Sequence, residues 1–99
     1  MPRLLSDEEI ERQLHDLPGW ARDGDSIRAV YEAPDFPTAI RLVDEVAAEA
    51  EDMNHHPDID IRWRTLTFGL STHSAGGVTV LDLELARRIS EIAAAHSAT

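Results

Sequence analysis

The chain has 99 residues, of which 42% are hydrophobic and 28% charged, as expected for one soluble domain spanning residues 1–99. Its formal net charge of −10 argues against nucleic-acid binding, because a phosphate backbone requires a concentrated basic face. It has no run of about 18 apolar residues and no secretory signal, so we expect no membrane span and a cytoplasmic location. Cysteine is absent, which excludes disulfides and thiol catalysis.

The first third of the chain predicts a helix followed by a β-hairpin. Ser6 and Glu9 have the spacing of a capping box, in which each side chain bonds the other residue's backbone N–H. The apolar residues that follow at helical spacing are Ile10, Leu14 and Leu17. Pro18-Gly19 ends this helix, and residues 20–33 then form two short strands around Asp23-Gly24-Asp25.

The longest predicted helix follows this hairpin and runs up to two adjacent histidines. Asp35 is its predicted N-cap, and Pro37 is tolerated in its first turn. Pro57 disfavours helical geometry at His56, so the helix should end at the histidines. Its predicted apolar stripe comprises Phe36, Ile40, Val43, Ala47 and Ala50, and is widened by Ala39, Leu42, Val46 and Met53.

Two alternating apolar runs predict a second hairpin. The runs are Ile59, Ile61 and Trp63, and then Leu66, Phe68 and Leu70. Their phase slips between Trp63 and Leu66, which indicates a turn near Arg64-Thr65 rather than one long strand. The alternation also predicts that Trp63 packs against its neighbours instead of contacting a ligand.

The last predicted helix begins after Thr79 as its N-cap, and its Glu84 and Arg88 form an i,i+4 pair. Its core residues are Leu85, Ile89 and Ile92. The element order α-β-β-α-β-β-α predicts an α+β fold, with a four-stranded antiparallel sheet covered on one face by three helices. So small a sheet leaves edge strands, and pairing between subunits would cover them, so we expect a homo-oligomer, either a dimer or a tetramer.

Three of the five histidines are candidates for a functional site. His15 and His96 lie on or near helix ends and are expected to be exposed side chains. His55 and His56 close the long helix, where they form either a polar helix end or a site. Glu51 lies four residues before His55 on the same helical face and could orient that imidazole. His73 ends the fourth strand, beside a glycine pair.

A metal site is disfavoured by the spacing of these residues. Adjacent residues at a helix end point in different directions, so His55 and His56 rarely bind one ion. Zinc motifs on helices place two histidines four residues apart, and that spacing is missing here. Asp82 follows Thr79 at capping-box spacing, so it is either a helix cap or a site residue.

The histidines belong to a longer pattern. An acidic residue is followed after three residues by His-His-Pro, then by an aromatic residue, Ser-Thr-His and a later aspartate. These elements are Glu51, His55-His56-Pro57, Trp63, Ser71-Thr72-His73 and Asp82. The pattern resembles the signature of the pterin-4a-carbinolamine dehydratases, and Gly19-Trp20 with the helix–hairpin order extends the resemblance over nearly the whole chain.

The resemblance implies an activity, a substrate and a set of site residues. Such a protein dehydrates 4a-hydroxytetrahydrobiopterin-type carbinolamines to quinonoid dihydropterin and so recycles the pterin of aromatic amino-acid hydroxylases, with no metal or organic cofactor. Residues implied to line the pterin site and transfer protons are His55, His56 and His73. Glu51 and Asp82 would orient them or bind the polar edge of the pterin. Trp20 either contacts the flat ring or is a core residue after a turn.

Two departures and one alternative accompany this interpretation. Animal members of the family have a basic residue where this chain has Leu81 and an acidic residue where it has Asn54, so recognition of the substrate edge could differ. The alternative function is non-enzymatic, as a protein-binding, assembly or dimerisation factor on the same fold. The presence of all three histidines favours catalysis, because a scaffold has no need of them.

Overall fold

The computed structural model describes residues 2–99, and within them the elements follow the predicted order. The helices are α1 (Asp7–Leu14), α2 (Phe36–Met53) and α3 (Val80–Ala95). The strands are β1 (Ala21–Asp23), β2 (Ser26–Glu32), β3 (Asp58–Arg62) and β4 (Thr65–Leu70). They form one antiparallel sheet in the order β1-β2-β4-β3. The predicted α+β fold is therefore confirmed.

The helices begin where their capping residues predict. Ser6 and Glu9 form the capping box of α1, and Thr79 and Asp82 form that of α3. Asp35 caps α2 by accepting a hydrogen bond of 2.8 Å from the backbone N–H of Thr38. These contacts satisfy backbone donors that have no partner inside a helix, which is why short polar residues precede each helix.

The core lies between one face of the sheet and the three helices. Inward and outward residues alternate along β2 and β4, and the buried ones are Ile27, Ala29, Tyr31, Leu66, Phe68 and Leu70. Each helix contributes to the same cluster, as shown by Ile10 of α1, Leu42 of α2 and Ile89 of α3. Fully burying one such side chain contributes about 1.5–3 kcal/mol. None of the helices in residues 2–99 has the length and apolar character needed to cross a bilayer.

The buried face of α2 differs from the predicted stripe. Phe36 and Ala47 are exposed, whereas Ala39, Leu42 and Val46 are buried. The two sets form adjacent strips on the helix, and both are apolar enough to satisfy a helical pattern. Because α2 packs against α3 as well as closing over the sheet, the tertiary contacts decide which strip is central.

The prediction that Trp63 packs against its neighbours is wrong. Arg62 pairs with Thr65, so Trp63 and Arg64 form the two-residue turn of the β3–β4 hairpin, one position earlier than expected. Trp63 is 71% exposed, and the guanidinium of Arg64 stacks on its ring at 5.0 Å. The alternation of β3 stops at the turn, so it no longer directs this side chain inward. Trp63 also has φ +55°, which a bulky side chain rarely adopts.

The low pKa of the Glu9 carboxyl allows the capping box of α1 to be tested. Two hydrogen bonds from the Arg3 guanidinium and one from the Ser6 N–H lower the pKa of this carboxyl to about 2. Because the folded pKa lies below the unfolded one, Glu9 stabilises the fold above its unfolded pKa of about 4.3 and loses that contribution as the pH falls towards 2. We expect an NMR titration of the Glu9 carboxyl to show this low midpoint and Arg3→Ala to raise it. A midpoint that Arg3→Ala leaves unchanged would contradict the role of Arg3.

Candidate functional site

The two histidines that follow α2 lie in different surroundings. Asn54 has left-handed backbone geometry (φ 48°, ψ 46°), which asparagine tolerates better than most residues. The Asn54 N–H bonds the carbonyl of Glu51, and the His55 N–H reaches back to the carbonyl of Ala50 at 3.0 Å. This pair of bonds is a Schellman motif. The helix therefore ends at Met53, two residues before the buried His55, while His56 is exposed.

His55 makes a buried pair with Asp82. Its Nε2 lies 2.5 Å from Oδ1 of Asp82; the imidazole is almost covered, and Asp82 is completely buried. The other carboxylate oxygen, Oδ2, accepts from the Thr79 backbone N–H at 2.8 Å and from the Thr72 hydroxyl at 2.9 Å. Asp82 is thus both the capping residue and the partner of a site histidine.

His56 pairs with Glu51 on the surface. Its Nε2 lies 2.5 Å from Oε2 of Glu51, and both side chains are more than half exposed. The sequence pointed instead to a pair between Glu51 and His55, and this detail is wrong. Helical spacing places residues 51 and 55 on one face only while the helix continues, and the left-handed Asn54 interrupts it between them.

His73 lies outside both pairs. It follows β4 and is exposed, and it faces an open cavity of about 330 Å³ at the end of the sheet. The other lining residues are Asp25, Ser26, Asp58, Ser71 and Gly76. Backbone continuity nevertheless ties His73 to the buried pair, because Thr72, the residue before it, bonds Asp82 directly.

Trp20 belongs to the hydrophobic core. It is 5% exposed, and its indole N–H lies within hydrogen-bonding distance of the Tyr31 hydroxyl and of Ser90 Oγ, at 3.0 and 2.9 Å. Of the two interpretations of this residue, the structure favours a core residue after a turn. Its only polar atom is already engaged, and no hydrogen bond links it to the three histidines.

Thr72 and Thr79 are parts of the site that the sequence analysis did not assign to it. Both are buried, and their hydroxyl oxygens lie 2.7 Å apart beside Asp82. A signal for Thr72 was available, because it continues the inward phase of Leu66, Phe68 and Leu70. A polar residue at an inward position needs a buried hydrogen-bond partner.

Leu81 directly precedes Asp82 in the chain. Leu81 is half-buried in the first turn of α3, and its backbone N–H donates to Thr79 Oγ1 at 3.2 Å. Position 81 thus provides no basic side chain next to Asp82.

Across residues 2–99, no three histidine or carboxylate side chains are grouped so that they could hold a metal ion.

Comparison with known proteins identifies the family of the chain. The sequence profile of the family described as Pterin 4 alpha carbinolamine dehydratase matches residues 3–92. The chain belongs to this family. Membership implies that it is a dehydratase of pterin carbinolamines, and the resemblance seen in the sequence is confirmed.

Individual family members cover almost the whole chain. Three of those that carry the name "Putative pterin-4-alpha-carbinolamine dehydratase" illustrate this. The Nocardia farcinica protein is 62% identical over 91% of this chain and 95% of its own length. The Roseiflexus castenholzii protein is 55% identical over 93% and 99%, and the Mycobacterium tuberculosis protein is 50% identical over 87% and 92%.

A solved structure has the same fold. The crystal structure of a transcriptional coactivator/pterin dehydratase from Brucella melitensis superimposes with a TM-score of 0.87 at 33% sequence identity. The match covers 90% of this chain and 97% of the Brucella chain. The chain therefore shares its fold with a solved relative.

The left-handed residue before the histidines can be tested by substitution. Alanine at position 54 adopts this geometry at a cost of about 1 kcal/mol, whereas glycine adopts it freely. We expect Asn54→Ala to lower the free energy of unfolding by about 1 kcal/mol and Asn54→Gly to change it by less than about 0.5 kcal/mol, as measured in urea. Equal stabilities for the two variants would show that the left-handed turn does not constrain the end of α2.

Proposed function

We propose that the protein dehydrates 4a-hydroxytetrahydrobiopterin-type carbinolamines to quinonoid dihydropterin by histidine acid–base catalysis. In this role it recycles the pterin cofactor of aromatic amino-acid hydroxylases. The observation that carries the proposal is the pair of adjacent imidazoles in contrasting surroundings. His55 is buried against Asp82, and His56 is exposed beside Glu51.

The reaction needs two proton transfers. The C4a–O bond of the carbinolamine breaks, and the hydroxyl leaves as water after a general acid protonates it. The N–H next to C4a loses its proton to a base, and the electron pair forms the C4a=N double bond. Imidazoles suit both tasks, because histidine has an ordinary pKa of about 6.5 and can act as acid or base near neutral pH. A positioned acid or base contributes roughly 10²–10⁴-fold to the rate.

Each carboxylate has its own histidine to orient. Asp82 is buried and bonded on both oxygens, so it holds His55 in one position. Glu51 is exposed and holds His56 through a single contact. We assign proton transfer to His55, His56 and His73, with Glu51 and Asp82 orienting two of them. This assignment uses only side chains of the chain itself and calls for no metal or organic cofactor.

We further propose that the protein works as a homo-oligomer in the cytoplasm. Within residues 2–99, β1 and β3 each pair with only one neighbouring strand, and pairing with a second copy would cover their other edges. A protein-binding function is the second candidate, because the Brucella relative is described as a transcriptional coactivator as well as a pterin dehydratase. An assay of dehydration tests the first of these functions directly.

The activity can be tested with purified protein and the 4a-carbinolamine. We expect the protein to accelerate the loss of the carbinolamine absorbance, and His56→Ala to reduce kcat by at least about 100-fold because one proton-transfer group is removed. His15→Ala is the matched control, since His15 is exposed and lies on the connection after α1. If the wild-type protein gave no acceleration over buffer, the proposed enzymatic function would be refuted, and a search for protein partners would follow.

Glu51 is tested separately through its charge. Glu51→Gln keeps the shape of the side chain but removes the carboxylate that holds His56, so we expect kcat to fall about tenfold, as is usual when a residue that orients a site group is changed. Glu8→Gln removes one negative charge from an exposed position on α1 and is the control for net charge. Equal rates for the two variants would show that Glu51 does not assist catalysis.

A further inference from the structure

We propose that Thr72 and Thr79 are positioning residues that act through Asp82. They hold His55 as the tautomer protonated at Nε2, so that Nδ1 is the atom that meets the substrate. The part that concerns the substrate rests on the proposed dehydration, whereas the tautomer is a property of the free protein. The inference follows from the direction of each hydrogen bond in the buried network.

The donors in this network can be assigned one after another. Each threonine hydroxyl has a single proton to donate. Thr72 donates its proton to Asp82 Oδ2, so in the 2.7 Å contact between the hydroxyls Thr79 is the donor and Thr72 the acceptor. Thr79 Oγ1 accepts in turn from the Leu81 backbone N–H. The chain of donors therefore starts at the backbone of α3 and ends on the carboxylate.

This direction determines the state of Asp82 and His55. Oδ2 accepts two hydrogen bonds, one from the Thr72 hydroxyl and one from the Thr79 backbone N–H, an arrangement that suits an ionised carboxylate. An ionised carboxylate has no proton to donate. The 2.5 Å contact with Oδ1 must then be donated by His55 Nε2–H.

The other ring nitrogen of His55 faces outward. Nδ1 makes no hydrogen bond within residues 2–99, and no fully buried side-chain nitrogen or oxygen there lacks a partner. Nδ1 therefore reaches the solvent-accessible surface through the small exposed part of this residue, 8%. Unlike the hydrogen-bonded oxygens of Thr72, Thr79 and Asp82, it has no partner in the part of the chain that the structure describes and can bond a ligand.

An imidazole held in this way is prepared to accept a proton. The neutral Nε2–H tautomer has its lone pair on Nδ1, and the adjacent carboxylate stabilises the imidazolium that forms. In the proposed dehydration, the substrate N–H bond breaks, the proton moves to Nδ1, and the electron pair forms the new C=N bond. The hydroxyl leaves as water with a proton supplied by a second group.

The tautomer can be measured directly by ¹⁵N NMR of the histidine rings in the free protein. In the wild type we expect His55 to show a protonated Nε2 and an unprotonated Nδ1. Thr72→Val removes the hydroxyl while keeping the β-branched shape, so the ring should exchange between tautomers, and kcat should fall about tenfold with KM within about twofold of the wild-type value. Thr72→Ser retains the hydroxyl and should restore both the single tautomer and kcat.

Either of two results would overturn the inference: a wild-type His55 protonated at Nδ1, or a Thr72→Val protein that keeps the single Nε2–H tautomer. Circular dichroism checks that Thr72→Val is folded, and if it is not, the wild-type spectrum alone decides. The NMR readout needs no substrate. A wild-type protein that lacks dehydratase activity would therefore refute the proposed function without changing the result for the tautomer.

Discussion

The carboxylate of Asp82 is the point at which the end of α2, the end of β4 and the start of α3 meet. It is completely buried, and burying a charge costs several kcal/mol unless it is paired and hydrogen-bonded. Here a backbone N–H, a threonine hydroxyl and an imidazole all bond it. Removing any one partner would leave the carboxylate less satisfied, so the position of His55 depends on the same contacts that begin α3.

The contrast between His55 and His56 follows from this constraint together with Asn54. The left-handed residue ends α2 and turns His55 towards Asp82, and the next residue then points to solvent. One imidazole is consequently held in a low-dielectric environment by a buried carboxylate, where electrostatic interactions are strong. The other contacts an exposed carboxylate that solvent screens. Two neighbouring residues of identical chemistry are thereby suited to different roles in one reaction.

Much of the fold could be predicted because its signals are local. The capping residues and the alternation of β2 and β4 act over a few positions, and both are found in the structure, whereas the β3–β4 turn lies one position earlier than predicted. Two errors arise where contacts with a neighbouring element determine which side chains are buried or paired. Both strips of α2 satisfy a helical pattern, and only packing selects the one centred on Leu42. The partner of His55 lies 27 residues away on another helix, beyond the reach of a helical-spacing argument.

The alternating pattern after β4 places one residue in the buried network and the next residue at the surface. Thr72 continues the inward phase of β4 and meets Asp82, and His73, the next residue, points outward into the open cavity. At the end of α2 the order is the same, with His55 inward and His56 outward. Two chain segments therefore each place one residue in the buried network and the next at the surface. Because His73 and His56 directly follow Thr72 and His55, the contacts of these two residues with Asp82 also limit where His73 and His56 can move.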